Sequence, residues 1–145
     1  MHIPNSEAHA AELARVVREH SHEPVTILVV DDVLTWCRER NPAERRNPPA
    51  MALRADVTGE AVILVRREID ADQVQSIKDR MLFGDCAELA ARLDTPAVFL
   101  EHLVLHELAH LLNDWGQDRE DDCDGWAFNA MGWLPEGYGR ADSWQ

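Results

Sequence analysis

The segment from Thr95 to Asp114 constrains the fold more than any other part of the chain, because it predicts one long helix that is buried on most sides. Thr95 is a residue type that caps helix N-termini, and Pro96 suits the first helical position, where a missing N–H breaks no intrahelical bond. Asn113 and Gly116 are typical of a helix end. Apolar residues occupy most sides of the segment: Val98, Phe99, Leu103, Leu105, Leu108, Ala109, Leu111 and Leu112.

This helix carries the motif H-E-x-x-H, formed by His106, Glu107 and His110. Helical residues rotate by about 100° each, so histidines four positions apart lie on one face and aim their rings at a common point. A buried ring without a polar partner is unfavourable, and a metal ion supplies that partner. The spacing therefore predicts one Zn²⁺ bound by both histidines, with Glu107 acting as general base on a zinc-bound water. The alternative is a pair of hydrogen-bonded core histidines.

A catalytic zinc with an open coordination position needs a third protein ligand, and the acidic run after the helix offers several carboxylates. If Asp118 caps a second helix that runs through Met131, Glu120 and Asp124 lie one turn apart on the same face. We therefore predict Glu120 as the third ligand and Asp124 as the acceptor for the outward ring N–H of a ligand histidine. Asp122 is the main alternative to Glu120, because a boundary error of one or two residues rotates the assignment.

Four other residues are candidates for supporting roles. His102 lies one turn before His106 and is either a hydrogen-bonding neighbour of the site or a core histidine. Tyr138 and Arg140 follow the second helix and can stabilise an oxyanion if they reach the site; otherwise they belong to a flexible tail. Cys123 is either a thiolate ligand or a small buried residue.

The remaining patterns predict an α+β fold. Three strands are expected at 25–30, 51–57 and 61–65, and four further helices at 6–20, 32–40, 70–83 and 85–93. The turn at Thr58 and Gly59 makes the last two strands a hairpin. Strand 51–57 alternates most cleanly between apolar and polar residues, which favours it as a sheet edge that an extended peptide can join. An ordinary edge without a ligand is the alternative.

Composition and charge narrow the function classes. A length of 145 residues indicates a single domain over 1–145, with expected tails at 1–5 and 136–145. The chain has 27 acidic and 14 basic residues and a formal charge of −13, which disfavours direct nucleic-acid binding. No apolar run suits a membrane span, and the N-terminus lacks the pattern of a signal peptide. Three scattered cysteines fit thiols in a reducing cytoplasm, so a cytoplasmic protein is predicted.

The sequence H-E-L-A-H-L-L at 106–112, followed by E-D-D-C-D-G-W-A at 120–127, resembles the gluzincin pattern, and within it the ImmA/IrrE metallopeptidases. This resemblance implies a small zincin-like domain, in which a twisted, mainly antiparallel three-stranded sheet packs against the active-site helix and a ligand helix follows. It also implies zinc ligands at His106, His110 and Glu120, a general base at Glu107 and a supporting carboxylate at Asp124. Cys123 stands where the family usually has alanine.

Two functions from different classes follow as hypotheses. The first is zinc-dependent hydrolysis of peptide bonds, for which the resemblance implies a specific intracellular regulatory protein, such as a repressor, as the substrate. The second is a non-catalytic interaction protein, stabilised by zinc, whose acidic surface binds a basic partner or a transcription regulator. A fourth protein ligand, such as Cys123, favours the second hypothesis, and an open position reached by solvent favours the first. A zinc hydrolase that acts on another amide is a third alternative.

Overall fold

The structure is a computed structural model that describes residues 1–81 and 86–133. It is an α+β arrangement of helices around a three-stranded sheet. The elements in chain order are Ala10–His20 (α1), Val25–Val30 (β1), Val33–Arg38 (α2), Ala50–Arg54 (β2), Ala61–Arg66 (β3), Ala71–Met81 (α3), Ala87–Ala90 (α4), Pro96–Asn113 (α5) and Glu120–Ala130 (α6), with short 3-10 helices at Ser6–His9 and Gln117–Arg119.

The sheet has the order β1-β3-β2. As predicted, β2 and β3 form an antiparallel hairpin, but β1 runs parallel to β3 on its other side. The sheet is therefore mixed, and the expectation of a mainly antiparallel sheet is wrong. The reason is the long connection between β1 and β3, which contains α2 and β2 and is long enough for a crossover to a parallel neighbour.

The two faces of the sheet are covered unequally. One face, with Ile63 and Val65 of β3, packs against α5 and α1 in the main hydrophobic core. The opposite face, with Leu64, packs against the two-turn helix α2 through Val33 and Cys37. Since α5 lies directly beneath the sheet and contacts β2, the H-E-x-x-H motif sits under one edge of the sheet.

The N-terminal residues are part of the fold. Ile3 is 1% exposed and pairs with Ile69 through two backbone hydrogen bonds of 2.8 and 2.9 Å. The prediction that residues 1–5 form a tail is therefore wrong. Burial of the Ile3 side chain stabilises the ordered N-terminus by more than the loss of chain entropy destabilises it. The expected tail at 136–145 lies outside the described residues.

No helix in the ranges 1–81 and 86–133 combines the length and the apolar character needed to cross a membrane.

Candidate metal centre

Helix α5 has the bounds that its sequence predicts. The hydroxyl of Thr95 accepts a hydrogen bond from the N–H of Val98 at 3.3 Å, and Pro96 is the first helical residue. The helix ends at Asn113, and Asp114 takes the left-handed conformation that closes it, with φ of 52°. Nine of its residues are buried, so the backbone that carries the two motif histidines is held by the core.

Helix α6 begins at Glu120, immediately after a 3-10 helix at Gln117–Arg119. Its N-cap is Arg119 without a side-chain cap, so the expectation that Asp118 caps this helix is wrong. Asp118 instead belongs to the 3-10 turn, and the N-cap of α6 lies one position later, at Arg119. Glu120 and Asp124 nevertheless remain one turn apart on the same face, as the predicted spacing requires.

The structure brings His106, His110 and Glu120 together. Nε2 of His106 lies 3.1 Å from one carboxylate oxygen of Glu120, and Nε2 of His110 lies 2.9 Å from the other. Asp122, the alternative third ligand, instead accepts a hydrogen bond from Arg119. The two ring nitrogens and the Glu120 carboxylate thus face one another across the junction of α5 and α6.

Hydrogen bonds on the outer sides of the rings fix which nitrogen is free. Nδ1 of His110 lies 2.7 Å from the carbonyl oxygen of Trp115, which can only accept, so this nitrogen donates. Nδ1 of His106 lies 2.7 Å from the Asp124 carboxylate and donates in the same way. If the rings are neutral, the lone pair of each Nε2 faces the carboxylate oxygens of Glu120, so a proton on Nε2 or a bound cation must separate these acceptors. Two imidazoles and one carboxylate form a donor set that could hold a divalent metal ion such as zinc.

The pKa values of His106, His110 and Glu120 also indicate that positive charge is stabilised between these side chains. Burial lowers the pKa of His106, but hydrogen bonds with Asp124 and Glu120 outweigh it and raise the pKa to about 10. Its hydrogen bond with Glu120 raises the pKa of His110 to about 9. Burial raises the pKa of Glu120, yet both rings together bring it well below its usual value. A divalent cation bound at this point would take the place of the two protons.

Asp124 is a buried carboxylate that joins two histidines. It is 2% exposed, and its Oδ1 accepts from Nδ1 of His106 and lies 3.1 Å from Nε2 of His102. Burial raises its pKa, but these two hydrogen bonds lower it by more. Burial lowers the pKa of His102, whose ring also packs 4.2 Å from that of Phe128. The contact predicted for Asp124 is thus present, and it holds the ring of His106 in one orientation. Of the two interpretations of His102, both apply, since it is buried in the core and bonded to Asp124.

Glu107 lies on the side of α5 that faces the sheet edge. Its Oε1 accepts the backbone N–H of Ala52 in β2 at 2.9 Å, and its Oε2 lies 3.9 Å from Nε2 of His106. Burial raises the pKa of this carboxyl. A carboxylate with a raised pKa is a stronger base, and its position beside the two rings is suitable for accepting a proton there.

Strand β2 is an edge of the sheet, as its alternating pattern predicts. It is shorter than expected, since the chain leaves the ladder after Arg54 and Val57 is 98% exposed. The N–H of Ala52 points away from β3, toward α5. This edge and the helix form the two walls of a cavity of about 750 Å³. Its lining includes Ala52, Arg80, His106, Glu107, His110 and Glu120.

Two features of the site escaped the sequence reasoning. Arg80, in the last turn of α3, places its guanidinium 3.7 Å from Glu120 and 3.8 Å from Asp124. No local pattern marks this residue, because Glu120 and Asp124 belong to a helix far away in the sequence. The second feature is how close Cys123 lies to both motif histidines: its sulfur and one ring nitrogen from each of His106 and His110 lie within 4.8 Å of one another, while the residue is also fully buried, so the structure keeps both predicted interpretations of this cysteine open. Burial raises the pKa of this thiol to about 12.

Tyr138 and Arg140, the predicted oxyanion donors, lie outside the described residues.

Comparison of the chain with protein-family models, with curated proteins and with solved structures finds no match. The resemblance to the gluzincins therefore rests on the residues of the two motifs.

Proposed function

We propose that this protein is a zinc-dependent metallopeptidase. The observation that carries the proposal is the convergence of Nε2 of His106, Nε2 of His110 and the Glu120 carboxylate beside Glu107, in a cleft that also exposes a sheet edge. The side chain of Glu120 is 31% exposed, so solvent reaches the metal position. Access for water distinguishes a catalytic zinc from a closed structural one.

In this mechanism each residue has a role that its position supports. Zinc, when bound, lowers the pKa of water toward about 7 and polarises the scissile carbonyl. Glu107 accepts the proton that water loses as its oxygen forms the bond to the carbonyl carbon, and passes that proton to the amine nitrogen as the C–N bond breaks. His106 and His110 keep their orientation through the bonds to Asp124 and the carbonyl of Trp115.

The edge of β2 provides a means of holding the substrate. An extended peptide that pairs with this edge exchanges backbone hydrogen bonds with it and passes over the metal position. In the free protein the N–H of Ala52 donates to Glu107. A substrate that pairs with this N–H must therefore displace the Glu107 carboxylate from it. The resemblance to ImmA/IrrE proteins supports a specific intracellular regulatory protein, such as a repressor, as the substrate.

Metal analysis combined with cleavage of a proteome-derived peptide library tests this function. We expect about one zinc per chain, cleavage that stops when a chelator removes zinc, and recovery when zinc is restored. The chelator-treated protein with added Mg²⁺ is the control, because Mg²⁺ prefers oxygen ligands and a wider shell. Cleavage that persists after zinc removal contradicts the proposal.

A closed, structural zinc site is the second candidate, and the proximity of Cys123 to both histidines favours it. In that case the thiolate occupies the fourth position and no water binds. The surroundings of Cys123 support a different role, since it packs in an apolar cluster with Ala109 and Trp115. We expect Co²⁺-substituted protein to lack a sulfur-to-metal charge-transfer band, and Cys123→Ala to keep its metal affinity. A band that disappears in Cys123→Ala identifies the structural site instead.

A further inference from the structure

Arg80 is the cation nearest to the proposed metal ligands in the part of the chain that the structure describes. Two arginines, Arg46 and Arg80, line the cleft. Nε of Arg46 donates to Glu44 at 2.7 Å, so this guanidinium already has a close carboxylate partner. Arg80 approaches Glu120 and Asp124 only to 3.7 and 3.8 Å, which is beyond hydrogen-bond distance.

Arg80 lines the cleft, so its N–H groups can meet a ligand that is bound there. Within residues 1–81 and 86–133 the guanidinium has ion pairs that hold it in place but no hydrogen bond that uses its donors. A guanidinium presents five N–H donors in a fixed plane and stays charged at any ordinary pH. Its side chain is 43% exposed and reaches the cleft from α3, on the Glu120 and Asp124 side of the metal position.

The carboxylates around the proposed metal position favour a cation beside them. Glu107, Glu120 and Asp124 contribute three carboxylates around the metal position, one more negative charge than a divalent cation neutralises. Arg80 supplies the missing positive charge. When a carbonyl is attacked, its oxygen gains further negative charge, and a fixed donor directed at that oxygen lowers the barrier.

We propose that Arg80 donates hydrogen bonds to the oxygen of the scissile carbonyl as that oxygen becomes negative. The proposal rests on the proposed peptidase function and adds a catalytic residue to it. The ion pairs with Glu120 and Asp124 hold the guanidinium beside the Glu120 carboxylate, in the same cleft that Glu107 and the two motif histidines line. A charge-assisted hydrogen bond of this kind contributes about tenfold to a hundredfold in affinity for an oxyanion.

Binding of small probes to the Co²⁺-substituted full-length protein tests this role without a known substrate. Methylphosphonate, a tetrahedral anion, and imidazole, a neutral ligand, are titrated against the visible spectrum of the cobalt site. We expect Arg80→Gln to weaken methylphosphonate by about tenfold or more and to leave imidazole unchanged, with Arg80→Lys in between. Arg15→Gln is the matched control, because Arg15 is 45% exposed, forms ion pairs with carboxylates of α1 and lies outside the cleft.

The outcomes separate the role of Arg80 from the proposed function. If the wild-type protein binds no cobalt, the metal site and the role of Arg80 both fail. If cobalt binds and Arg80→Gln holds methylphosphonate as well as the wild type does, only the role of Arg80 fails. If Arg80→Gln weakens cobalt, methylphosphonate and imidazole together, Arg80 acts by positioning the ligands, and the oxyanion assignment is overturned.

Discussion

Glu107→Gln is expected to lower the rate of peptide cleavage by about 10² to 10⁴-fold and to leave zinc affinity unchanged. Glutamine keeps the shape of the side chain, and its amide oxygen can still accept the N–H of Ala52. What it loses is the ability to take a proton from water. The measurement is kcat on a peptide selected from the library, with zinc content determined on the same sample.

Glu101→Gln provides the matched control for this experiment. Glu101 belongs to the same helix and is half-buried, and burial raises the pKa of its carboxyl as it does that of Glu107. The charges that act on it most strongly are Glu12 and Arg15 of α1, and Glu101 does not line the cleft. We expect this variant to cleave at the wild-type rate. If Glu107→Gln cleaves as fast as Glu101→Gln, another group is the base and the mechanism given above is wrong.

The parts of the site that are local in sequence were predictable. Helical periodicity decides which side chains share a face, and this rule placed His106 with His110 and Glu120 with Asp124. The predicted pairing of Glu120 with Asp124 is correct although the predicted start of α6 is wrong, because a helix that begins at Glu120 still places Asp124 one turn later. The start of α5 was also predictable from neighbouring residues, since Thr95 and Pro96 mark it in the sequence.

The parts that depend on packing between distant segments were not predictable. The parallel pairing of β1 with β3 depends on the path of the connection between them, which no periodicity encodes. The contact of Arg80 with Glu120 joins residues forty positions apart, and the bond from Ala52 to Glu107 joins residues even farther apart. Such contacts follow from the packing of whole elements, so they become visible only once the helices and the sheet are placed together.

The second prediction with a large expected effect concerns zinc affinity, and it tests whether Glu120 or Asp122 is the third ligand. Structural zinc sites bind with about 10 to 16 kcal/mol over four ligands, so one ligand contributes about 3 kcal/mol. We therefore expect Glu120→Gln to weaken zinc binding by roughly a hundredfold, because a neutral amide oxygen replaces a carboxylate. Competition with a chromogenic chelator measures this change. Zinc should also raise the unfolding temperature of Glu120→Gln less than that of the wild type, since stabilisation by a ligand follows its affinity.

Asp122→Asn is the control that makes this result specific. Both variants remove one negative charge from the first turns of α6, so their long-range effects on the cation are similar. Asp122 forms a partly exposed ion pair with Arg119, and such a pair contributes on the order of 1 kcal/mol. We expect Asp122→Asn to bind zinc as tightly as the wild type. The reverse pattern, with zinc lost in Asp122→Asn and kept in Glu120→Gln, means that the bound state rotates α6 and that Asp122 is the third ligand.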